Sequence, residues 1–263
     1  TIFLTTVSIA SVLAGAAAAQ SEPPATSPST VDDIVVTAQK RSERLQDVPV
    51  SISVLGAETL ENKGVGNVAA LNNLAPGLRV SNGDAAASPK IFIRGVGLSD
   101  FNPNASSGVG IYVDGVYIGS PLAQMAGFYD LAQLEVLRGP QGTLYGRNTN
   151  GGAINITTKR PSFEWAGDGR VEYASDNAVN LQGGVGGPII KDVLAFRAAG
   201  QYVASDGATH DRVTDRDVNA IEYYGGRFSL LYTPRADFSI LASVNHFENH
   251  GDATAAQHRA LFP

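Results

Sequence analysis

Five long segments after residue 162 alternate apolar and polar residues, and this period of two constrains the fold more than any other feature. They lie at 170–175, 179–185, 194–202, 224–232 and 238–245. In the third, Leu194, Phe196 and Tyr202 oppose Arg197 and Gln201. Successive side chains of a strand point to opposite faces, so each segment is predicted to be a strand with one apolar and one polar face.

The connections between these strands carry separate information. The links "GGPIIKD" and "TPRAD" are short, whereas residues 205–219 are long and charged. Short turns that alternate with long loops are typical of outer-membrane β-barrels, whose tilted strands are about this long. The short link at 175–177 departs from that pattern, since a long loop is expected there. The alternative is a soluble antiparallel sandwich, which also alternates.

The first 41 residues divide into three parts. Residues 1–19 carry no charge and end in alanines, which predicts a secretory signal peptide; a transmembrane helix is the alternative. Residues 20–31 contain three prolines among serines and threonines and are predicted to be a flexible linker. Residues 32–41, "DDIVVTAQKR", hold an isolated run of strong strand formers.

Residues 42–161 are predicted to form a compact α+β domain. Helices are expected in "GAETLENKG", stopped at Gly64, and in "NVAALNNLAPG", ended by Pro76 and Gly77. Short strands are expected at 48–55, 78–81, 90–95, 110–115, 134–139 and 152–159. The fold class is therefore an α+β domain followed by the long strands of an antiparallel sheet.

Composition and motifs exclude several classes of function. The net charge is −6 and its 19 basic residues are scattered, which gives no footprint for nucleic acid. Cysteine is absent, so no disulfide, thiol nucleophile or thiolate metal site is possible in these residues. No P-loop or nucleophile elbow occurs. On a strand His246 and His250 would lie about 13 Å apart, too far to share a metal ion. We predict no enzyme activity, no metal site and no cofactor.

Several blocks resemble the TonB-dependent outer-membrane receptors, most closely their iron-complex branch. "DDIVVTAQKR" resembles the TonB box, and "IFIRGVG", "GVGIYVDGVYIG" and "LEVLRGPQGTLYGRNTNGGAINITTKRP" resemble successive blocks of the plug domain. The resemblance implies a barrel of about 22 strands whose lumen the plug fills. Residues 162–263 would supply only the first five or so, so we expect an N-terminal fragment with an open sheet edged by Asp168–Ser175 and Phe238–Asn249.

The resemblance also implies a function. It is TonB-dependent active transport of a bulky nutrient across the outer membrane of a Gram-negative bacterium, most often of a ferric siderophore or other iron complex. The same machinery could take cobalamin, an oligosaccharide or an aromatic compound, or the chain could be a truncated fragment that transports nothing. TonB is the implied partner, capturing one short segment by strand addition. Its residues would be Asp33, Ile34, Val35, Val36, Thr37 and Ala38. An edge strand of the α+β domain is the alternative for that segment.

Two further sets of residues follow from the plug assignment. Ligand contacts are expected from outward-facing loops, at Phe101, Asn102, Asn104, Gln124, Met125 and Phe128. No metal-ligand set is required, because an iron chelate would be recognised through its organic shell. The arginines expected to pair with inward carboxylates of the barrel wall, or only to stabilise the plug, are Arg94, Arg138 and Arg147.

Overall fold

Two five-stranded sheets, one in each half of the chain, organise the computed structural model of this protein. The structure describes residues 35–37, 43–66, 68–82, 89–98, 106–120, 124, 128–207, 209–211 and 215–251. The predicted signal peptide and linker lie outside these residues and stay predictions. No helix in the described part of the chain is both long enough and apolar enough to cross a membrane.

The first half contains short strands, two short α-helices and two 3₁₀ turns. Its strands are β1 (Val35–Val36), β2 (Glu43–Arg44), β3 (Ile52–Gly56), β4 (Leu78–Asn82), β5 (Pro89–Ile93), β6 (Val96–Gly97), β7 (Val109–Val113), β8 (Val116–Tyr117), β9 (Leu131–Arg138) and β10 (Gly152–Thr158). Its helices are α1 (Ala57–Asn62) and α2 (Gly142–Tyr145), and its 3₁₀ turns are Leu45–Asp47 and Val68–Leu71.

The main sheet of this α+β domain has the order β3-β9-β10-β7-β8, and only its β10–β7 pair is parallel. One face carries the principal apolar core, which includes Leu71, Leu134 and Ile154. The opposite face carries a second cluster built on Tyr112 and Leu137. The strands β4, β5 and β6 form a separate small sheet, and β1 pairs with β2.

The second half is an open antiparallel sheet of long strands, here called the long sheet. Its five strands are β11 (Ala166–Tyr173), β12 (Val179–Ile190), β13 (Leu194–Ser205), β16 (Ile221–Arg235) and β17 (Phe238–Asn249). The strands β14 (Thr209–Asp211) and β15 (Arg216–Val218) form a hairpin in the predicted long loop. In the described residues β11 and β17 are the edges, which confirms the expected open sheet and both of its edges.

The two faces of the long sheet carry the residues that the alternation assigned to them. Arg197 and Ser229 are opposite each other on β13 and β16, and both are buried on the face towards the α+β domain. Phe196 lies on the other face, between Trp165 in an edge-on contact at 5.8 Å and Phe228 in a stacked contact at 6.4 Å. The polar face therefore covers the domain, and the aromatic face points away from it.

Two elements of the α+β domain differ from the sequence prediction. The second predicted helix is only a 3₁₀ turn over Val68–Leu71, because Asn73 adopts a left-handed φ of 62°. The first predicted strand begins at Ile52 instead of Val48. Pro49 lies in between and has no N–H to donate to a strand ladder.

The outer face of the long sheet is open to a direct test. If it contacts lipid, Phe196→Arg will place a charge in the bilayer at a cost of about 2–4 kcal/mol near the midplane. The amount of folded protein recovered from membranes should then fall, as measured by heat-modifiable migration on gels. Phe196→Leu is the matched control and should assemble normally. Equal assembly of the two variants would contradict the assignment of this face to lipid.

Candidate functional site

A buried ion pair joins the long sheet to the α+β domain. Arg197 on β13 and Asp130, just before β9, have side chains only 6% and 2% exposed. The arginine Nε donates to one carboxylate oxygen at 2.7 Å, and its Nη2 donates to the other. This two-pronged geometry fixes the orientation of both groups and gives a stronger contact than a single hydrogen bond.

The ion pair extends into a chain of charges. Asp168 on β11 accepts hydrogen bonds from Arg197 at 3.0 Å and from Lys159 at 3.1 Å. Lys159 also reaches Glu61 at the end of α1, at 3.0 Å. Burial alone would lower the pKa of Lys159, but the hydrogen bonds to Glu61 and Asp168 outweigh it and raise the pKa above its usual value. The ammonium therefore stays charged at neutral pH.

A second arginine of the long sheet holds the residue next to Asp130. Arg227 on β16 lies over the ring of Tyr129, 4.9 Å from its centre, which is cation–π geometry. Its Nε donates to Asn245 on β17 at 2.7 Å. Tyr129 and Asp130 are thus held by arginines from two neighbouring strands, and we call these four residues, Tyr129, Asp130, Arg197 and Arg227, the clamp.

The clamp depends on close approach of the two backbones. A Cβ at Gly184 on β12 would lie 2.8 Å from Nη2 of Arg197 and 3.1 Å from Oδ1 of Asp130. Those distances are shorter than a carbon side chain tolerates without displacing its neighbours. Glycine at this position leaves the space that the ion pair occupies.

The predicted plug–wall arginines are placed differently from the clamp. Nη2 of Arg94 lies 3.3 Å from Oγ of Ser51, and Nη2 of Arg138 lies 3.4 Å from the carbonyl oxygen of Ile52, both within the α+β domain. Arg147 is exposed. Contacts of these three arginines to a wall stay a prediction. In the clamp the charges are reversed, since the arginine is on the sheet and the carboxylate is on the domain.

The predicted ligand residues fall partly outside the described residues, where Phe101, Asn102, Asn104 and Met125 lie. Gln124 is 7% exposed and donates to the carbonyl of Ile118 at 3.0 Å. Phe128 is 4% exposed and belongs to the principal core. Both side chains are thus enclosed although their loops were expected to face outward, and their role as ligand contacts stays a prediction. Both line a cavity of about 470 Å³ between the domain and strands β16 and β17.

The segment predicted to be an isolated strand is docked on the α+β domain over its described residues. Val35 pairs with Arg44 and Val36 with Glu43. Val36 is fully buried in the second apolar cluster. This packing at Val35, Val36 and Thr37 resembles the edge-strand alternative, and capture of the segment by TonB stays a prediction. Asp33, Ile34 and Ala38 lie outside the described residues.

A buried carboxylate receives the end of that strand. Glu135 on β9 is fully buried, and its Oε1 accepts hydrogen bonds from the backbone N–H of Thr37 at 2.6 Å and from the Thr37 hydroxyl at 3.1 Å. Gln133 donates to the same oxygen at 2.9 Å, and Asn155 donates to Oε2 at 3.2 Å. Burial raises the pKa of the adjacent Tyr145. The hydrogen bond from Asn155 lowers that pKa and the charge of Glu135 raises it, but burial has the largest effect, so the Tyr145 hydroxyl stays neutral.

Metal coordination has no support among the described residues, where no group of three or more His, Asp or Glu side chains is placed to hold an ion. His246 and His250 both contact Glu248, at 2.9 and 3.4 Å.

The sequence of the α+β domain matches a known family. Residues 44–153 match the description "TonB-dependent Receptor Plug Domain". The chain contains the plug domain of the TonB-dependent receptors. Its α+β domain is therefore the plug, and the long sheet follows the plug as an incomplete barrel wall.

Known relatives agree with this assignment. The pesticin receptor of Yersinia pestis is 35% identical over 164 residues, which are 61% of this chain and 24% of the relative. The iron-regulated outer membrane virulence protein of Vibrio cholerae is 29% identical over 80% of this chain and 32% of the relative. The crystal structure of the ferric yersiniabactin uptake receptor FyuA of Yersinia pestis superposes with a TM-score of 0.66 at 29% identity, over 75% of this chain and 32% of FyuA. The chain thus spans about a quarter to a third of the length of these relatives.

Four residues of the candidate site were not identified as site residues from the sequence: Asp130, Arg197, Arg227 and Glu135. Arg197 and Arg227 could have been predicted to form ion pairs, because a charged residue on the polar face of a membrane strand needs a partner in the lumen. Glu135 could have been predicted to be a buried polar residue, since it interrupts the apolar run "LEVL". Asp130 could not have been predicted in this way, because only the fold brings it to Arg197.

The clamp is testable by a double-mutant cycle. Asp130→Asn keeps the shape and the left-handed φ of 56° but removes the charge. We expect the free energy of unfolding in urea to fall by about 1.5–3 kcal/mol, the usual loss for hydrogen bonds to a charged group. Arg197→Met removes the other partner. The double variant should lose less than the sum of the single variants, and strict additivity would show that the two residues do not act as a pair.

Proposed function

We propose that this chain takes part in TonB-dependent active transport of a ferric siderophore or another iron complex across the outer membrane. One observation carries the proposal: the plug sequence is most similar in the matches above to receptors named for pesticin and for ferric yersiniabactin uptake. The protein would be exported by its signal peptide to the outer membrane of a Gram-negative bacterium. It would act as a carrier and not as an enzyme, and it would bind no nucleic acid.

Energy for transport would arrive through the N-terminal strand. TonB would pair with Asp33–Ala38 by strand addition, in which backbone hydrogen bonds give affinity and alternate side chains give specificity. Among the described residues of this segment, Val35 and Val36 pair with β2, and a partner strand has few backbone hydrogen bonds of that pair to replace. This short pairing supports the segment as the place where a pulling force enters the plug.

The interface between plug and wall suits a plug that is held and yet movable. Its polar contacts include the hydrogen bonds and ion pairs of the clamp, of Asp168 and of Lys159. Water can replace such contacts one at a time, whereas an apolar interface would expose its whole area to water when it opened. The aromatic outer face around Phe196 would contact lipid.

Growth of a deletion strain tests the ligand class. With a panel of ferric siderophores, haem, cobalamin and oligosaccharides supplied singly as the limiting nutrient, the strain should fail on one or more iron chelates and grow normally on the others. Restoration by the intact gene is the control. Failure on cobalamin or an oligosaccharide alone would replace the iron complex with that ligand, and normal growth on every nutrient would argue against transport.

A proline substitution tests the N-terminal strand. In the complete receptor, Val35→Pro should stop uptake while ligand binding at the cell surface persists, because proline has no backbone N–H and restricts the residue before it. Uptake of radiolabelled ligand and surface binding are measured together. Arg44→Pro is the matched control: it disturbs the same β1–β2 pair from the other side and should keep uptake. Wild-type uptake by Val35→Pro would exclude this segment as the TonB contact.

A further inference from the structure

The most unusual buried group in the plug is the carboxylate of Glu135. It lies on the face of β9, an interior strand of the main sheet, that also carries Leu137, and it is fully buried. None of the ion pairs between described residues includes it. A buried carboxylate without a cation is costly unless hydrogen bonds satisfy it, so its stability rests on the donors around it.

Half of the hydrogen bonds to Glu135 come from Thr37, which directly follows the short strand β1. Glu135 accepts four hydrogen bonds, and two of them come from Thr37, both to Oε1. The other two come from Gln133 and Asn155, which are fixed in β9 and β10. Gln133 also donates to the carbonyl oxygen of Val35 at 3.2 Å, so it holds the same strand at a second point.

We propose that Glu135 is a latch that keeps Val35–Thr37 docked on the plug and thereby limits how much of this strand is free for a β-strand partner. The proposal rests on the proposed function for the identity of that partner, TonB. Undocking removes both hydrogen bonds of Thr37 from the Glu135 carboxylate, and it exposes the buried Val36. The docked and free states therefore form an equilibrium, and the apparent affinity for a partner scales with the free fraction.

The chain offers two mild variants that weaken the latch. Thr37→Val removes the hydroxyl donor at an exposed position and keeps the shape, so it does not threaten the fold. Glu135→Gln removes the negative charge. The glutamine side chain adds an N–H donor where Glu135 has a carboxylate oxygen. Asn155, which now donates to that oxygen, can rotate its amide and accept from the new donor, because its Oδ1 has no hydrogen-bond partner. Thr143→Val, the same substitution at an exposed position on α2, is the matched control.

Docking is measured without any partner. The 263 residues contain no cysteine, so Val35→Cys adds a labelling site to a segment whose side chain is about half exposed. A nitroxide there reports the free fraction in the full-length receptor purified in detergent. We expect Thr37→Val to raise the ratio of free to docked segment about fivefold, which corresponds to roughly 1 kcal/mol for one net hydrogen bond. Glu135→Gln should raise the same ratio, because both bonds from Thr37 lose their charged acceptor. Thr143→Val should leave the spectrum unchanged.

Partner binding is measured separately, on unlabelled receptor, by calorimetry with the periplasmic C-terminal domain of TonB. Glu135→Gln, which leaves the TonB-contacting segment itself unchanged, should bind more tightly than the wild type by the factor that the label gives. If the label stays as immobile in both variants as in the wild type, or if all variants bind TonB equally while the label is freed, the latch is refuted and the TonB contact stands. If the label is freed but TonB binds no receptor, the docking by Glu135 stands and the proposed function of the strand fails.

Discussion

The pairing of Arg197 with Asp130 is the contact on which the arrangement of plug and wall depends. A buried ion pair adds little net stability, because desolvation of both charges offsets their attraction. Its larger effect is to specify position. A shift of β13 by one residue would turn Phe196 towards the plug and Arg197 away from it, leaving Asp130 buried without a cation. The ion pair therefore selects one register of the wall against the plug.

The same selection acts on the chain around the clamp. Gly184 provides the space in which the guanidinium and carboxylate meet, and Asp168 extends the contact to Lys159 at the end of the plug. Asp130 itself adopts a left-handed φ of 56°, a conformation that aspartate tolerates better than most residues. The residue types, the backbone conformation of Asp130 and the close approach at Gly184 thus all favour the same ion pair between plug and wall.

Periodicity in the sequence predicted the long sheet well, because strand faces follow from local alternation. The five strands, their order along the chain and the sides of Arg197 and Ser229 all follow from it. Pairings between distant residues could not be predicted in this way. The contact of Thr37 with Glu135 joins residues 98 positions apart. Whether Val36 is free or buried depends on that contact and on Leu137, and not on the residues next to Val36 in the sequence. The apolar run around Val36 is therefore equally compatible with a free arm and with a docked strand.

Chain order separates the releasable contacts from the fixed ones. A force applied ahead of residue 35 meets the two-residue β1–β2 pair and the hydrogen bonds of Thr37 first. It reaches Asp130 only after β3 and the principal core, where Leu134 and Ile154 are fully buried. Unpairing two residues exposes one buried valine, whereas pulling β9 from the core would expose several large side chains at once, at about 25 cal/mol for each Å² of apolar surface. The contacts that hold the N-terminal strand are thus far fewer than those that hold β9 in the core.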